Sequence, residues 1–245
     1  MRSASAKPTI QNRLLKALTA EEYRRLSPRL QDVHLPRGRV LYEAGNRADF
    51  VYFPLSGVVS LLSSTRTGQM VEVGMVGNEG TTCVPVTNHA QALPYKVLIQ
   101  ISADALRCEA EVVRDEFIRG GSLHSLLTCH THSLFAQIAQ SAVCNRFHAT
   151  ESRFCRWLLS MHDRVESDTL QLTHEILSNM LGAERAHTSR TAKALQKSGL
   201  ITYEPGSITI LDRRRLETAS CECYEVVKQQ ADHCSRPRFN SRFGN

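Results

Sequence analysis

The chain has 245 residues, 42% of them hydrophobic, and a formal net charge of +6 at pH 7. That hydrophobic share excludes a disordered chain, and the length suits two modest domains. The basic balance favours a polyanionic partner without identifying one, and no run nears the roughly 20 apolar residues of a membrane span.

Met1 to Ile10 is polar and small and lacks the apolar stretch of a secretory signal, so a soluble, cytoplasmic protein without membrane contact is expected. Leucines 14, 15, 18, 26 and 30 among charges predict short amphipathic helix over residues 12–30. From Val33 to Ile101 short β-rich runs alternate with turn clusters such as Pro36-Arg37-Gly38 and Ala44-Gly45-Asn46. The runs are Val40–Tyr42, Val51–Phe53, Val58–Leu62, Val71–Val76 and Val97–Ile101, which suggests a compact antiparallel barrel or roll.

Residues 104–118 read as helix. After Gly120-Gly121, Ser122 to Phe147 holds no proline or glycine, and Leu123, Leu126, Leu127, Leu134, Ile138, Ala142 and Val143 follow a 3.5–3.6 repeat. A helix of this length is roughly 39 Å long. A partner chain covering its apolar stripe is preferred to packing on the chain's own barrel. Residues 150–165 form a further amphipathic helix with Phe154, Trp157, Leu158 and Met161 on one face.

The segment from Leu172 to Ile201 is the most informative. Thr173 has the hydroxyl to cap a helix whose buried face is Ile176, Leu177, Met180 and Leu181, and Gly182 ends it. A second helix, about 184–198, buries Thr188, Ala192 and Leu195 and ends at Gly199. Its outward residues are Arg185, Ala186, His187, Ser189, Arg190 and Lys193. Two short helices joined by a glycine turn form a helix-turn-helix, whose second helix can enter the DNA major groove. Arginine there can pair with guanine O6 and N7, and lysine further along suits a phosphate. Ile201–Tyr203, Pro205-Gly206 and Ile208–Leu211 read as a hairpin wing. An ordinary helical hairpin with a solvated basic face is the competing reading.

With these motifs the chain resembles the Crp/Fnr superfamily of bacterial regulators over nearly its full length. The match includes Leu35-Pro36-Arg37-Gly38-Arg39-Val40-Leu41-Tyr42-Glu43-Ala44-Gly45 and Val51-Tyr52-Phe53-Pro54-Leu55-Ser56-Gly57, then the long helix and winged helix-turn-helix. Cys155-Arg156-Trp157-Leu158-Leu159 and Cys221-Glu222-Cys223-Tyr224 look like a subgroup. The resemblance implies an α+β fold: an antiparallel β-roll like a cyclic-nucleotide-binding domain over 1–120, a dimerisation helix over 121–148 and a winged helix-turn-helix over 149–225. A flexible basic tail, 226–245, follows. It also implies a homodimer on double-stranded DNA at an inverted-repeat operator, with RNA polymerase a further candidate partner. Arg185, Arg190 and Lys193 match family positions that contact DNA. Ala186 departs from the glutamate of the best-studied members, which leaves the operator open.

Cyclic-nucleotide-binding members share a Gly-Glu pair followed by Arg-Ser or Arg-Thr, the arginine neutralising the phosphate. Here the stretch is Gly77-Asn78-Glu79-Gly80-Thr81-Thr82, and no arginine occurs between Arg66 and Arg107. A buried phosphate without its cation is costly, so cyclic AMP is not expected; Lys96 could substitute only if its strand register points inward. A regulator controlled by another nucleotide or small ligand in the roll is the alternative. No cysteine precedes Cys83, against the iron–sulfur cluster of oxygen-sensing members. No cofactor and no metal are expected.

The eight cysteines, Cys83, Cys108, Cys129, Cys144, Cys155, Cys221, Cys223 and Cys234, include no CxxC and read mostly as free, partly buried thiols. Cys221 and Cys223 point apart on a strand and lie about 200° apart on a helix, which disfavours a shared metal. Cys129 and His132 could share a face and form zinc ligands across a dimer, although interface packing is preferred. Cys83, Cys108 and Cys129 are candidates for a thiol switch on residue type alone. Hydrolase, zinc-protease and P-loop motifs are missing, so an enzyme, for instance one using a cysteine, is a remote alternative.

Overall fold

The computed structural model describes residues 11–82, 92–165, 167–172, 174–182 and 184–235. Two short helices, α1 (Arg13–Lys16) and α2 (Ala20–Leu26), open the chain. They are separate because Asn12 and Thr19 each begin a helix: the Asn12 side chain accepts from the Leu15 amide, and Thr19 forms a reciprocal capping box with Glu22.

Seven strands follow: β1 (Gln31–Leu35), β2 (Val40–Tyr42), β3 (Phe50–Pro54), β4 (Val58–Ser64), β5 (Met70–Val76), β6 (Lys96–Ile101) and β7 (Ala103–Glu109). They pair antiparallel in two sheets, ordered β1-β7-β3 and β2-β6-β4-β5, which enclose a core of Leu35, Val51, Phe53, Val59, Leu61, Val97 and Ile99. The expected strands are therefore present, with one correction. Residues 104–109 were expected to be helical and instead form most of β7, and helix resumes only at α3 (Ala110–Ile118). Ala103, Ala105 and Cys108 are buried in β7, which lies between β1 and β3 with every residue from 103 to 109 in register with one or the other. Cross-strand pairing outweighs the helix preference of an alanine- and leucine-containing stretch.

Helix α4 (Ser122–Phe147) runs for 26 residues, as expected. Gly121 gives it no side-chain cap, and the Glu22 carboxylate takes that place by accepting from the Leu123 amide at 3.1 Å and from the Ser122 hydroxyl. Burial pushes the Glu22 carboxyl up, but hydrogen bonds from Ser122, Thr19 and the Leu123 amide prevail and hold it at about 2. The apolar stripe is shared differently from the sequence reading. Leu123, Leu127 and Leu134 are buried in the chain's own roll, while Phe135, Val143 and Phe147 stand on the exposed side.

The second half comprises α5 (Thr150–His162), β8 (Thr169–Gln171), α6 (His174–Leu181), α7 (Arg185–Lys197), β9 (Ile201–Glu204), β10 (Ser207–Ile210), α8 (Arg213–Ala219) and α9 (Cys223–Ser235). Phe154, Trp157, Leu158 and Met161 of α5 are buried, as its pattern requires. Their core also takes in Val58, Leu62 and Met75 of the roll, so the two halves share a continuous apolar contact. Two polar links cross it. Trp157 Nε1 donates to Glu72 Oε1 at 2.8 Å, and Arg164 pairs with Glu79 at 2.7 Å with both side chains nearly buried.

Two further expectations are corrected near the C-terminus. Residues from 226 were expected to be a flexible tail, yet α9 continues to Ser235 and packs along α4 with Val227 buried; residues 236–245 lie outside the described residues. The cysteines were expected to be mostly free, with Cys129 a candidate thiol switch or zinc ligand beside His132, yet Cys129 and Cys234 are joined by a disulfide between α4 and α9. Their partners are 105 residues apart in sequence, so only the folded-back helix brings them together. Cys108, Cys144, Cys155, Cys221 and Cys223 are free and buried.

Candidate DNA-recognition surface

Helix α6 presents Leu177, Met180 and Leu181 to the core, with Ile176 partly buried beside them. Gly182 then adopts φ +56°, a left-handed conformation that releases the chain from the helix. A Cβ on Gly182 would come within 3.3 Å of Val71, so the turn also seats closely on β5. Thr173, the expected cap of α6, lies outside the described residues.

Helix α7 starts at Arg185, with Glu184 in extended conformation before it, and ends at Lys197 ahead of Gly199 at φ +68°. Thr188, Thr191, Ala192 and Leu195 are buried on its inner side. Of the six outward residues named from sequence, Arg185, Ala186, His187, Arg190 and Lys193 are exposed and Ser189 is half-buried. Arg185, Ser189, Lys193, Ala186 and Arg190 fall within about 140° of one another, and His187 lies at the edge of that arc, toward α5. His187 is already engaged, its Nε2 lying 2.9 Å from the Thr150 hydroxyl of α5. The helix bears four cations, Arg185, Arg190, Lys193 and Lys197, and no acid, so its positive charge is not cancelled from within.

The wing is a three-stranded sheet, β8-β10-β9, one strand larger than the expected hairpin. Pro205-Gly206 makes the tip, with Gly206 at φ +90° as the third position of a type II turn requires. The Leu172 amide donates to Gly206 O at 2.8 Å, and the Tyr203 amide donates to the α7 side chain Gln196 at 2.9 Å, which fixes the wing beside α7.

On the roll, Lys96, the cation that could have substituted for the missing arginine, is already paired. Lys96 sits on the opposite side of β6 from the core residues Val97 and Ile99, and its ammonium pairs with Glu43 at 3.1 Å. Strand alternation therefore points it away from the roll interior. Glu79 is held by Arg164, as above. Burial pushes its carboxyl up, and the Arg164 charge overcomes this and holds it below the ordinary range. Sequence reasoning missed Glu72, Glu79 and Arg164 as links between the halves. Trp157 was legible as buried, but the acceptor for its indole N–H was not, because that acceptor lies 85 residues away.

The architecture is an antiparallel roll, a long helix and a winged helix-turn-helix with a basic outer face. Residues 152–219 match the family model of the Crp-like helix-turn-helix domain. Residues 152–219 are thus similar to that domain family, and the chain has the Crp/Fnr fold. Among similar solved structures, FixK2 from Bradyrhizobium japonicum is 13% identical, covering 78% of this chain and 98% of its own, with a TM-score of 0.67. A CRP/FNR-family transcriptional regulator from Thermus thermophilus is 19% identical, covering 78% and 98%, with a TM-score of 0.61. The c-di-GMP-responsive global regulator CLP of Xanthomonas campestris is 15% identical, covering 79% and 100%, with a TM-score of 0.63. No curated protein matches the chain in sequence.

Proposed function

We propose that this protein is a cytoplasmic transcription regulator that binds an inverted-repeat DNA operator as a homodimer, with α7 as the recognition helix. The observation that carries the reading is the outer face of α7, where Arg185, Ala186, His187, Arg190 and Lys193 are exposed while the inner face is packed. Arg185 and Arg190 are the candidates for paired contacts to base edges, and Lys193 for a phosphate. Thr173, His187 and Ser189 complete the proposed DNA-contacting set. Ala186 offers only a methyl group, which suits a thymine methyl better than a cytosine amine and sets this operator apart from that of glutamate-bearing relatives.

The dimer reading draws on α4. Phe135 and Phe147 are each 72% exposed on one long helix, with Val143 between them, an unusual exposure for aromatic residues on a helix of this length. Association through this face would place two recognition helices for half-sites one helical turn apart, about 34 Å. RNA polymerase is a further partner on this reading. The signal is read as other than cyclic AMP, because no arginine occurs between Arg66 and Arg107 and Lys96 pairs with Glu43. Control by another small ligand is the second reading. It is favoured by a cleft of about 590 Å³ between the β4–β5 hairpin and the helix-turn-helix, lined by Ser64, Gln69, Val71, Asn179 and Glu184.

Selection from a random duplex DNA pool, followed by sequencing, tests the proposal. The expected result is an enriched inverted repeat with half-sites one turn apart, lost in Arg190→Ala. An Arg190→Ala variant that selects the same sequences as strongly as the parent would remove Arg190 from the reading set, and a parent pool with no enriched repeat would count against the dimeric reading.

A further inference from the structure

The sequence spacing of Cys221 and Cys223 argues against a shared metal, but the fold brings their sulfurs together. The break between α8 and α9 over Ser220–Glu222 places both sulfurs on the same side, facing the C-terminal end of α4. There they meet Cys144, in the last turn of α4, and His148, the residue just beyond it, whose amide donates to Cys144 O at 3.2 Å. The donor atoms of Cys144, His148, Cys221 and Cys223 all lie within 4.8 Å of one another. Cys144 Sγ is 3.5 Å from Cys221 Sγ, and Cys223 Sγ is 3.4 Å from His148 Nδ1.

We propose that Cys144, His148, Cys221 and Cys223 form a structural zinc site that fastens the end of the DNA-binding domain to the long helix. Zinc with three thiolates and one imidazole is tetrahedral, with Zn–S near 2.3 Å and Zn–N near 2.0–2.1 Å. Those bond lengths require sulfur–sulfur edges of roughly 3.8 Å and sulfur–nitrogen edges of roughly 3.6 Å. The observed separations of 3.5 and 3.4 Å are within a few tenths of an ångström of these values. The site is also closed: Cys144 and Cys223 are fully buried and Cys221 nearly so. A closed four-ligand set suits a structural ion, whereas a catalytic ion keeps an open position.

The surroundings match a metal better than a cluster of inert thiols. His148 presents Nδ1 to the sulfurs while its Nε2 lies 3.1 Å from the Glu222 carboxylate. A carboxylate on the far nitrogen is the arrangement that orients metal-binding histidines. Gln140 donates to Cys223 Sγ at 3.1 Å, as outer-shell groups do toward coordinated thiolates. Three thiolates and one Zn²⁺ leave a net charge of −1, and the positive charges of Arg156 and Arg153 act on Cys144 from α5. A disulfide could use only two of the three sulfurs and needs them near 2.05 Å. An iron–sulfur cluster interposes inorganic sulfide and iron among its ligands and needs a wider cage.

The test uses the full chain, purified with reductant and without chelator. Elemental analysis should find one zinc per chain. After zinc removal, titration with Co²⁺ should give the visible bands and thiolate charge-transfer absorption of a tetrahedral sulfur-rich site. Cys144→Ser and Cys223→Ser should lose the stoichiometric zinc, whereas Cys108→Ser and Cys155→Ser should retain it. The wild-type cobalt spectrum decides the matter even where a ligand variant fails to fold. A folded, reduced chain with no zinc and no tetrahedral cobalt spectrum would overturn the site. So would a Cys144–Cys221 disulfide in the purified protein, or bound iron with a cluster chromophore. None of these readouts depends on DNA binding.

Discussion

Glu72 should make the stability of this protein fall as pH rises from about 4.5 to about 7. Its carboxylate is buried on β5 and accepts from Ser60 at 2.5 Å and from the Trp157 indole at 2.8 Å. Burial dominates and pushes its pKa from 4.5 up to about 7, against the hydrogen bonds of Ser60 and Trp157 and the charges of Arg156 and Arg164. Between pH 4.5 and 7 the folded protein keeps a proton that the unfolded chain has released. Stability therefore decreases with pH across that window. A tenfold change in proton affinity corresponds to about 1.4 kcal/mol, so ionising Glu72 costs about 3 kcal/mol by pH 8. Glu72→Gln removes the charge and keeps the geometry, since its amide oxygen can accept from Trp157 and its nitrogen can donate to Ser60. The variant should be more stable than the parent by about 3 kcal/mol at pH 8 and by under about 1 kcal/mol at pH 5. In thermal unfolding this amounts to roughly 6–12 °C at pH 8 for a chain of this size. Urea titrations of both proteins at the two pH values measure it. A gap that is the same at both pH values, or a less stable variant at pH 8, would refute the reasoning.

Arg164→Ala should destabilise by about 3–5 kcal/mol, because it strands the buried Glu79 charge. Adding Glu79→Gln should restore part of the loss, and urea midpoints of the single and double variants check this. Cys234→Ser opens a link spanning 105 residues and should cost up to about 5 kcal/mol by loop entropy. Reductant should lower the wild-type midpoint by a similar amount; equal midpoints with and without reductant would count against the bridge. Arg190→Ala should weaken binding to the selected operator by about 1–3 kcal/mol, whereas Lys193→Ala should weaken all DNA similarly and reduce the salt slope by about 1. Phe135→Glu should shift the protein from dimer to monomer in sedimentation, since it buries a charge at the exposed apolar face of α4.

Most of the helix-turn-helix and the exposed set of α7 was legible in the sequence. The spacing of Leu177, Leu181, Thr188, Ala192 and Leu195, with glycine at 182 and 199, defines two short helices by local physics. The outward set of α7 follows from the 3.6-residue period alone. The roll strands were legible for the same reason, through alternation and turns. Tertiary structure decided everything that rests on distant partners. Residues 104–109 become strand because β1 and β3 flank them. The leucines of α4 face the roll, and Phe135, Val143 and Phe147 stay exposed, because the sheets and α9 claim the other faces. Cys129 meets Cys234, and Cys144 and His148 meet Cys221 and Cys223, only because α9 folds back along α4. Periodicity reports which face of an element is buried, and it carries no information about which residues, tens of positions away, will do the burying.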